Sequence, residues 1–286
     1  MIKSKKFFSA FASPDLKRSS IRLYDQVKKM DFYDEIKILS LKDLNSEGQE
    51  TVKSFLKKGK KRGFGYWYWK PFMILQLLKE MKKDDILHYA DIGCHLISKN
   101  LYKLKKYVDI LNETQKGWLG FQYYQLDKNN NFEYPSREEF KFTKADLFLY
   151  FNVLDNAQIT HTPQFWAGNF FLKKNNFSEM FLRSWLNVFK QRFDLIDNTP
   201  SKEKNFDGFI ENRHDQSVYS ILCKKNSIFS LSAYECDWAI LNKQRTWEHA
   251  KDSPVLAIRD LKYNIFKRFF NRQKRTFNRL KKRFNF

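Results

Sequence analysis

The chain has 286 residues, room for one large domain or two small ones, and 42% of them are hydrophobic, which excludes a disordered chain. The 29 Phe set against 9 Gly and 6 Pro favour a helix-rich α/β or all-α fold over a β-sandwich. The net charge of +21 suits a polyanionic partner (nucleic acid, anionic lipid or a phosphorylated small molecule), but ten Lys or Arg and no acid fall between Leu261 and Phe286, so nearly half of the excess sits in one tail.

In chain order, "KKFFSAFA", Lys5 to Ala12, is a short aromatic strand stopped by Ser13-Pro14. "SSIRLYDQVKKM" follows with helical spacing and Ser19 or Ser20 as cap, and "EIKILSL", Glu35 to Leu41, is a second strand. Strand, helix and strand within about 40 residues form the βαβ unit of a parallel sheet. "KPFMILQLLKEM", Lys70 to Met81, is a helix with Pro in its first turn, and "DILHYADIGCHL", Asp85 to Leu96, a buried strand. "NLYKLKKYVDILNE" is helical, "WLGFQYY" a strand, "NNNF" a turn, and "SREEFKFTKADLFLYFNV" helical in parts. "QFWAGNFFLKK" is a strand, "FSEMFLRSWLNVFKQRF" a long amphipathic helix, and Asp197 to Phe209 a loop. "HDQSVYSILCKK" opens a helix and "SIFSLSAYECDWA" is strand-like.

Cys94, Cys223 and Cys236 are odd in number, widely spaced and free of any CxxC pair, which argues against structural zinc and a disulfide framework and for a reducing compartment. No apolar run approaches the roughly 20 residues of a membrane span, and the N-terminal apolar run is too short for a secretory signal. A cytoplasmic protein is expected, attached or not to the inner face of the membrane.

Four stretches in order, "RGFGYWYWKP", "DILHYADIGC", "QFWAGNFFLKKNNFSEMFLRSWL" and "HDQSVYSIL", together with the opening βαβ, resemble the bacterial GT-A-type glycosyltransferases that use nucleotide sugars and commonly occur in capsule and lipopolysaccharide gene clusters. The resemblance spans Phe7 to about Trp238. It implies an α/β fold, a Rossmann-like mixed sheet flanked by helices, as a catalytic domain over residues 1–250 with a tail over 251–286. It also implies a nucleotide-sugar donor, a glycan or lipid-linked acceptor and a divalent cation, Mn²⁺ or Mg²⁺, where the central strand ends. The family's DxD motif reads Asp91-Ile92-Gly93 here, so the second carboxylate is absent. One carboxylate with a distant ligand holds the metal, or cationic side chains neutralise the diphosphate instead.

The residues can be weighed for that chemistry. Asp91 sits at the carboxyl end of a buried strand, where open α/β sheets bind ligands, and one carboxylate with phosphate oxygens and waters suits a hard cation; the plainer role is an acid capping the next loop. Gly63 and Gly65 permit positive φ or close approach. Tyr66 and Trp67 offer ring faces for a base or sugar, or anchor the core, and Arg62 and Lys70 face phosphate, with Lys70 at a helix N-terminus. His214 is a candidate second metal ligand or diphosphate donor; Asp215 orients the acceptor, acts as base or caps its helix, and Gln216 follows it. Gly168 lets substrate approach, Asn169 bonds sugar hydroxyls, and Trp166 packs on a sugar or in the core. Ser9 and Phe11 end the first strand, where base and ribose would lie. His88 and His95 flank Asp91 either as functional groups or as supporting or buried ones. An inverting transfer needs a base and a retaining one does not, and both remain open.

On a helical wheel the tail places Leu261, Ile265, Phe266, Phe269, Phe270, Phe277, Leu280 and Phe284 on one half and most of its Lys and Arg on the other. This is a basic amphipathic helix suited to the inner-membrane surface through residues 261–286, or one docking its phenylalanines on the domain. Two other functions compete with the transferase: a non-catalytic transferase-fold protein, supported by the missing acid, and a basic nucleic-acid-binding protein. No RNP, zinc or helix-turn-helix signature supports the latter, so no nucleic acid is expected as partner.

Overall fold

A computed structural model describes residues 4–126 and 131–258. The expected amphipathic helix over 261–286 and half of the "NNNF" turn, residues 129–130, lie outside the described residues.

The first strand, β1 (Lys6–Phe11), is joined by α1 (Lys17–Lys29) to β2 (Glu35–Leu39), and β1 pairs with β2 in parallel, as the βαβ reading requires. Helix α1 begins earlier than the expected serine cap. Pro14 starts a 3₁₀ turn that runs straight into Lys17, and Ser20 turns its hydroxyl back to the Lys17 carbonyl. Helix α2 (Ser46–Lys57), not among the expected elements, is opened by Asn45 accepting from the Gly48 N–H. Helix α3 (Trp69–Leu78) leads to β3 (Ile86–Ala90). The single strand expected from Asp85 to Leu96 is broken in two, because the Cys94 N–H closes a turn on the Asp91 carbonyl before β4 (His95–Leu96).

Helix α4 (Leu101–Glu113), β5 (Trp118–Gln122), β6 (Asn169–Lys173), α5 (Asn176–Gln191), α6 (Asp215–Lys225) and β7 (Phe229–Ser232) complete the main body. A hairpin of β8 (Ala239–Leu241) and β9 (Gln244–Thr246) follows, then β10 (Val255–Leu256). Strand β10 pairs with β4 and Val255 is fully buried.

The central sheet has the order β2-β1-β3-β6-β5-β7, and β6 alone runs against its neighbours. The carboxyl ends of β1, β3, β5 and β7 therefore share one edge with the start of β6. Alternation along the strands supplies both faces. Phe7, Phe11, Leu87, Tyr89, Phe170 and Leu172 join the core under α2, α3, α5 and α6, while Phe8, Ala10, Ile86, Ala90 and Phe171 join the core under α1 and α4. The expected α/β architecture, a mixed sheet flanked by helices, is what the chain forms. Among the described residues no helix is long and apolar enough to cross a membrane, and the three cysteines are free and buried.

Helix α6 is buried on nearly every side and carries a charge into the interior. Lys224 donates to Glu139 at 2.8 Å, with the two side chains 6% and 0% exposed. Glu139 also accepts from Thr143, Gln164 and Ser220. Burial pulls the Lys224 ammonium below its ordinary pKa, and Glu139 offsets part of that. Lys224→Met leaves a carboxylate without its counter-charge in the core, and a loss of about 3–5 kcal/mol is expected in urea unfolding. Adding Glu139→Gln to that variant should recover a large part; a double variant no more stable than the single would show that Glu139 does not depend on Lys224.

Candidate active site

Ten residues, 62–71, set the geometry of the site. Gly63, Phe64, Gly65, Tyr66 and Trp67 all have positive φ, from 54° to 94°. The Tyr66 N–H bonds the Arg62 carbonyl at 2.7 Å and the Trp67 N–H the Gly63 carbonyl at 3.2 Å, so this is one turn of left-handed helix. Left-handed backbone costs a residue with a Cβ about 1–2 kcal/mol, so Phe64, Tyr66 and Trp67 together cost roughly 3–6 kcal/mol. Packing holds the turn. The Trp69 indole donates to the Gly63 carbonyl at 3.0 Å and stacks on Phe11 at 4.1 Å between ring centres. Of the two roles open to these glycines, close approach or positive φ, both take positive φ, and the turn ends by placing Lys70 in the first turn of α3.

Lys70 is 2% exposed, and its ammonium donates to Asp215 Oδ2 at 2.8 Å and to the Ala167 carbonyl at 3.1 Å, with Asp91 Oδ1 at 3.3 Å. Asp215 opens α6 and is 6% exposed; Asp91 follows β3 and is 38% exposed. The Tyr89 hydroxyl, one strand position away on the same face, donates to Asp91 Oδ1 at 2.6 Å. Burial pulls the Lys70 pKa down, but the two carboxylates outweigh it and hold the ammonium above its ordinary value. Burial pushes Asp215 up to about 6, against the pull of Lys70. One cation thus faces two carboxylates.

His214 precedes this pair with φ 57° and ψ −121°. Its Nδ1–H donates to the Ile196 carbonyl at 2.6 Å, which leaves Nε2 the lone-pair nitrogen, buried and without a hydrogen-bond partner. Burial lowers its pKa to about 4, so the ring is neutral near pH 7. Tyr66 meets the ring edge-on at 4.9 Å and Trp67 lies nearly parallel at 5.8 Å. Gln216 donates to Gln164, which in turn donates to Glu139. Arg62 lies on the surface, 3.9 Å from Glu211.

The structure therefore gathers Lys70, Asp91 and Asp215, with His214, Tyr66 and Trp67 beside them and Gly65 in the turn that presents them. It sets four expected ligand contacts elsewhere. Ser9 is fully buried and faces the Met73 sulfur. Phe11 is buried beneath Trp69. Asn169 is fully buried, with Oδ1 accepting from His88 Nε2 at 2.7 Å and its amide on the Cys236 sulfur. His88 in turn accepts from Tyr33, and burial holds it neutral with a pKa of about 3. Gly168 is covered by the Trp166 indole, 2.3 Å from where a Cβ would stand. Its missing side chain makes room for that ring. Tyr89 joins the site without having been among the expected residues, although its position two residues before Asp91, along an alternating strand, places both on one face.

The expected metal pair, Asp91 and His214, does not form a centre from protein groups alone: no cluster of three or more His, Cys, Asp or Glu that could hold a metal occurs among the described residues. Asp91 nonetheless fits a hard cation as a single ligand, since its part-exposed carboxylate is anchored through Oδ1 by Tyr89 and Lys70, and such ions take their remaining oxygens from phosphate and water.

No protein-family model matches this sequence, and no curated protein matches it. Among solved structures, the chain is similar to mouse xyloside xylosyltransferase 1 in its apo form (9% identity, TM-score 0.44, covering 81% of this chain and 87% of that one). It is also similar to a glycosyltransferase involved in the glycosylation of the major capsid of PBCV-1 (10% identity, TM-score 0.44, 89% and 94%). A third is the apo-form glycosyltransferase GlyE of Streptococcus pneumoniae TIGR4 (12% identity, TM-score 0.36, 81% and 46%). These likenesses are too distant to bear on the site, whose reading rests on its own residues.

Lys70→Met removes the counter-charge of two carboxylates and should lower unfolding stability by about 3–5 kcal/mol near pH 7. Asp215 has a folded-state pKa of about 6, above the ordinary carboxylate value, so the folded chain holds a proton that the unfolded chain releases, and this group's share of stability grows as pH falls from about 6 towards 4. The loss in Lys70→Met should therefore be smaller near pH 5 than near pH 7, as read by urea unfolding at both; equal losses would show that Asp215 does not depend on Lys70.

The left-handed turn has its own test. Gly59 has φ 77° and open space where a Cβ would go, whereas a Cβ on Gly63, at φ 55°, would stand 2.3 Å from the Trp67 ring. Gly59→Ala should cost about 1–2 kcal/mol and Gly63→Ala about 2–5 kcal/mol in the same measurement. Equal costs would mean that Trp67 does not lie on Gly63.

Proposed function

We propose that this chain is a glycosyltransferase that takes a sugar from a nucleoside diphosphate donor to a glycan or lipid-linked acceptor in surface polysaccharide synthesis. The observation that carries the reading is Asp91, a part-exposed carboxylate anchored by Lys70 and Tyr89 at the end of a central strand. Sheet topology supports the same place. The sheet grows from β1 outward to β2 and then back through β3, so its order reverses between β1 and β3, and ligands of open α/β sheets bind in the crevice at such a reversal. The order of motifs from Arg62 to Leu222 supports the class of donor.

Asp91 would hold a bound Mn²⁺ or Mg²⁺ together with diphosphate oxygens, and the metal would stabilise charge on the departing diphosphate. Lys70 holds Asp91 through one oxygen and so sets the direction of the other. Lys70 and Asp215 offset each other's charge and leave Asp91 negative, which favours a cation over a bare diphosphate beside it. Asp215, locked on Lys70, acts as a positioning residue rather than a base. His214 keeps its lone-pair nitrogen buried, and Gln216 is engaged by Gln164. None of the three offers an open base to the acceptor, which favours a retaining transfer.

A thermal-shift series with UDP-, GDP- and CMP-sugars, with and without Mn²⁺, tests the reading. At about 100 times Kd, a nucleoside diphosphate sugar with Mn²⁺ should raise the midpoint by about 5–10 °C. The Mn²⁺-assisted part of the shift should vanish in Asp91→Ala. A wild-type chain indifferent to every donor, or an Asp91→Ala variant that responds like the parent, would overturn the assignment.

A further inference from the structure

Helix α1 has an outer stripe that the described residues leave exposed. Leu23 and Val27 turn inward and are buried against the sheet. Lys17, Ile21, Tyr24 and Lys28 recur at i, i+4, i+7 and i+11, which puts them on one stripe of the helix, away from that core. All four are exposed, Ile21 at 56% and Tyr24 at 44%. The stripe thus has an aliphatic and an aromatic side chain in its middle and an ammonium at each end. Arg18 and Lys29, exposed beside it, add two more cations, and Asp25 is the one acid of the helix. Tyr102, also exposed, stands in the first turn of α4 on the same side of the sheet.

The basic tail sets out from beside this stripe. Gln26 of α1 accepts from the Leu96 N–H at 3.2 Å, and its amide meets His95 Nδ1 at 3.3 Å, so β4 is tied to the helix. Arg22 donates to the Ile92 and Cys94 carbonyls at 2.9 and 2.8 Å, in the turn just before β4. Strand β10 pairs with β4, Leu256 opposite His95, and the described residues end two positions later at Ile258. Leu261 is three residues further, within about 10 Å of chain. Residues 261–286 carry ten Lys or Arg and no acid, so this charge starts on the side of the molecule that α1 covers.

Charge and apolar surface together select the partner. A tail of this charge is repelled by the cations of α1, and a second copy seated face to face would set the same cations against one another. A nucleic-acid duplex would meet the cations but leave Ile21 without an apolar partner. An anionic bilayer meets both needs: its headgroups attract ammonium, its acyl boundary receives apolar side chains, and lysine stems reach past those side chains to the headgroups. We propose that the Lys17–Lys28 stripe of α1 docks on an anionic phospholipid bilayer, on the same membrane that receives the tail. This rests on α1 and the exit of the chain, not on the reaction performed beside Asp91.

Co-sedimentation of the full chain with vesicles tests this, at about 0.15 M salt, where charges are screened over about 8 Å. Wild type should bind mixed phosphatidylglycerol–phosphatidylcholine vesicles about tenfold or more tightly than phosphatidylcholine alone. Lys17→Glu with Lys28→Glu should weaken that binding about tenfold or more, and Ile21→Ser with Tyr24→Ser about fivefold or more. Lys53→Glu with Lys57→Glu makes the same change of charge at exposed positions of α2, on the other face of the sheet, and should stay within about twofold of wild type. An unchanged urea midpoint shows that a variant keeps its fold, and Tyr24→Ser alone serves if the serine pair does not. A wild-type chain that ignores both vesicles overturns the proposal. Equal losses in the α1 and α2 charge pairs overturn it by giving the binding to net charge, and an α1 charge pair that binds like wild type does so by giving it to the tail alone. A serine pair that binds like wild type also overturns it, and a DNA duplex that the α1 charge pair binds less tightly then names nucleic acid as the partner.

Discussion

A single ammonium ion shared between two carboxylates, out of reach of water, organises this molecule. Lys70 belongs to α3, Asp215 to α6, Asp91 to the end of β3 and the Ala167 carbonyl to the approach to β6. Four segments far apart in sequence thus converge on one nitrogen. An isolated charge in such a place would be prohibitively expensive, so each partner is committed to the others. The stoichiometry matters as much as the contacts. Two acids on one base leave a residual negative charge, and only Asp91 is open enough to show it to solvent.

The left-handed turn before Lys70 makes sense in that light. A right-handed lead into α3 would carry Tyr66 and Trp67 on a different face and part them from His214. The opposite screw sets the two rings against the imidazole. Strain of this size persists only where the surroundings over-determine it. Here they do: Trp67 fills the space that Gly63 leaves, Trp69 lies on Phe11, and both indoles border the same turn. The second buried ion pair, Glu139 with Lys224, performs a similar service at the other end of α6, where Gln164 and Gln216 link it to the first.

What could be read from the amino-acid order follows from which forces are local. The aromatic and aliphatic alternation of Phe7 to Phe11 and Ile86 to Ala90 revealed the sheet, because burial on two faces imposes a period of two. Asp91 was legible as the acid that ends an apolar run, and the glycines of the aromatic stretch as positions of positive φ. The partners of these residues were not legible. Lys70 looked like a phosphate ligand at a helix start, yet its nearest acid lies 145 residues away. Asn169 and Gly168 looked like a sugar contact because Asn and Gly often are, but a histidine on the neighbouring strand and an indole two residues earlier claim them. Helix α2 escaped because its apolar residues are few and its cap, Asn45, follows an irregular stretch. Ring-on-guanidinium contacts such as Arg213 on Phe142 join segments that no short motif spans.

The reversed direction of β6 has a further consequence. In an all-parallel sheet every strand would deliver its last residues to the ligand edge, and each would then leave by a loop. Because β6 runs the other way, a chain segment arrives at that edge before its strand begins, and residues 163–168 lie across it as a sill. Their backbone is already committed on one side, to β5 through the Trp166 N–H and to the end of β3 through the Gly168 carbonyl. The floor beneath Asp91 is therefore stitched to β5 and to the end of β3, so a loop grafted or lengthened there would disturb both of these strands and β6 at once.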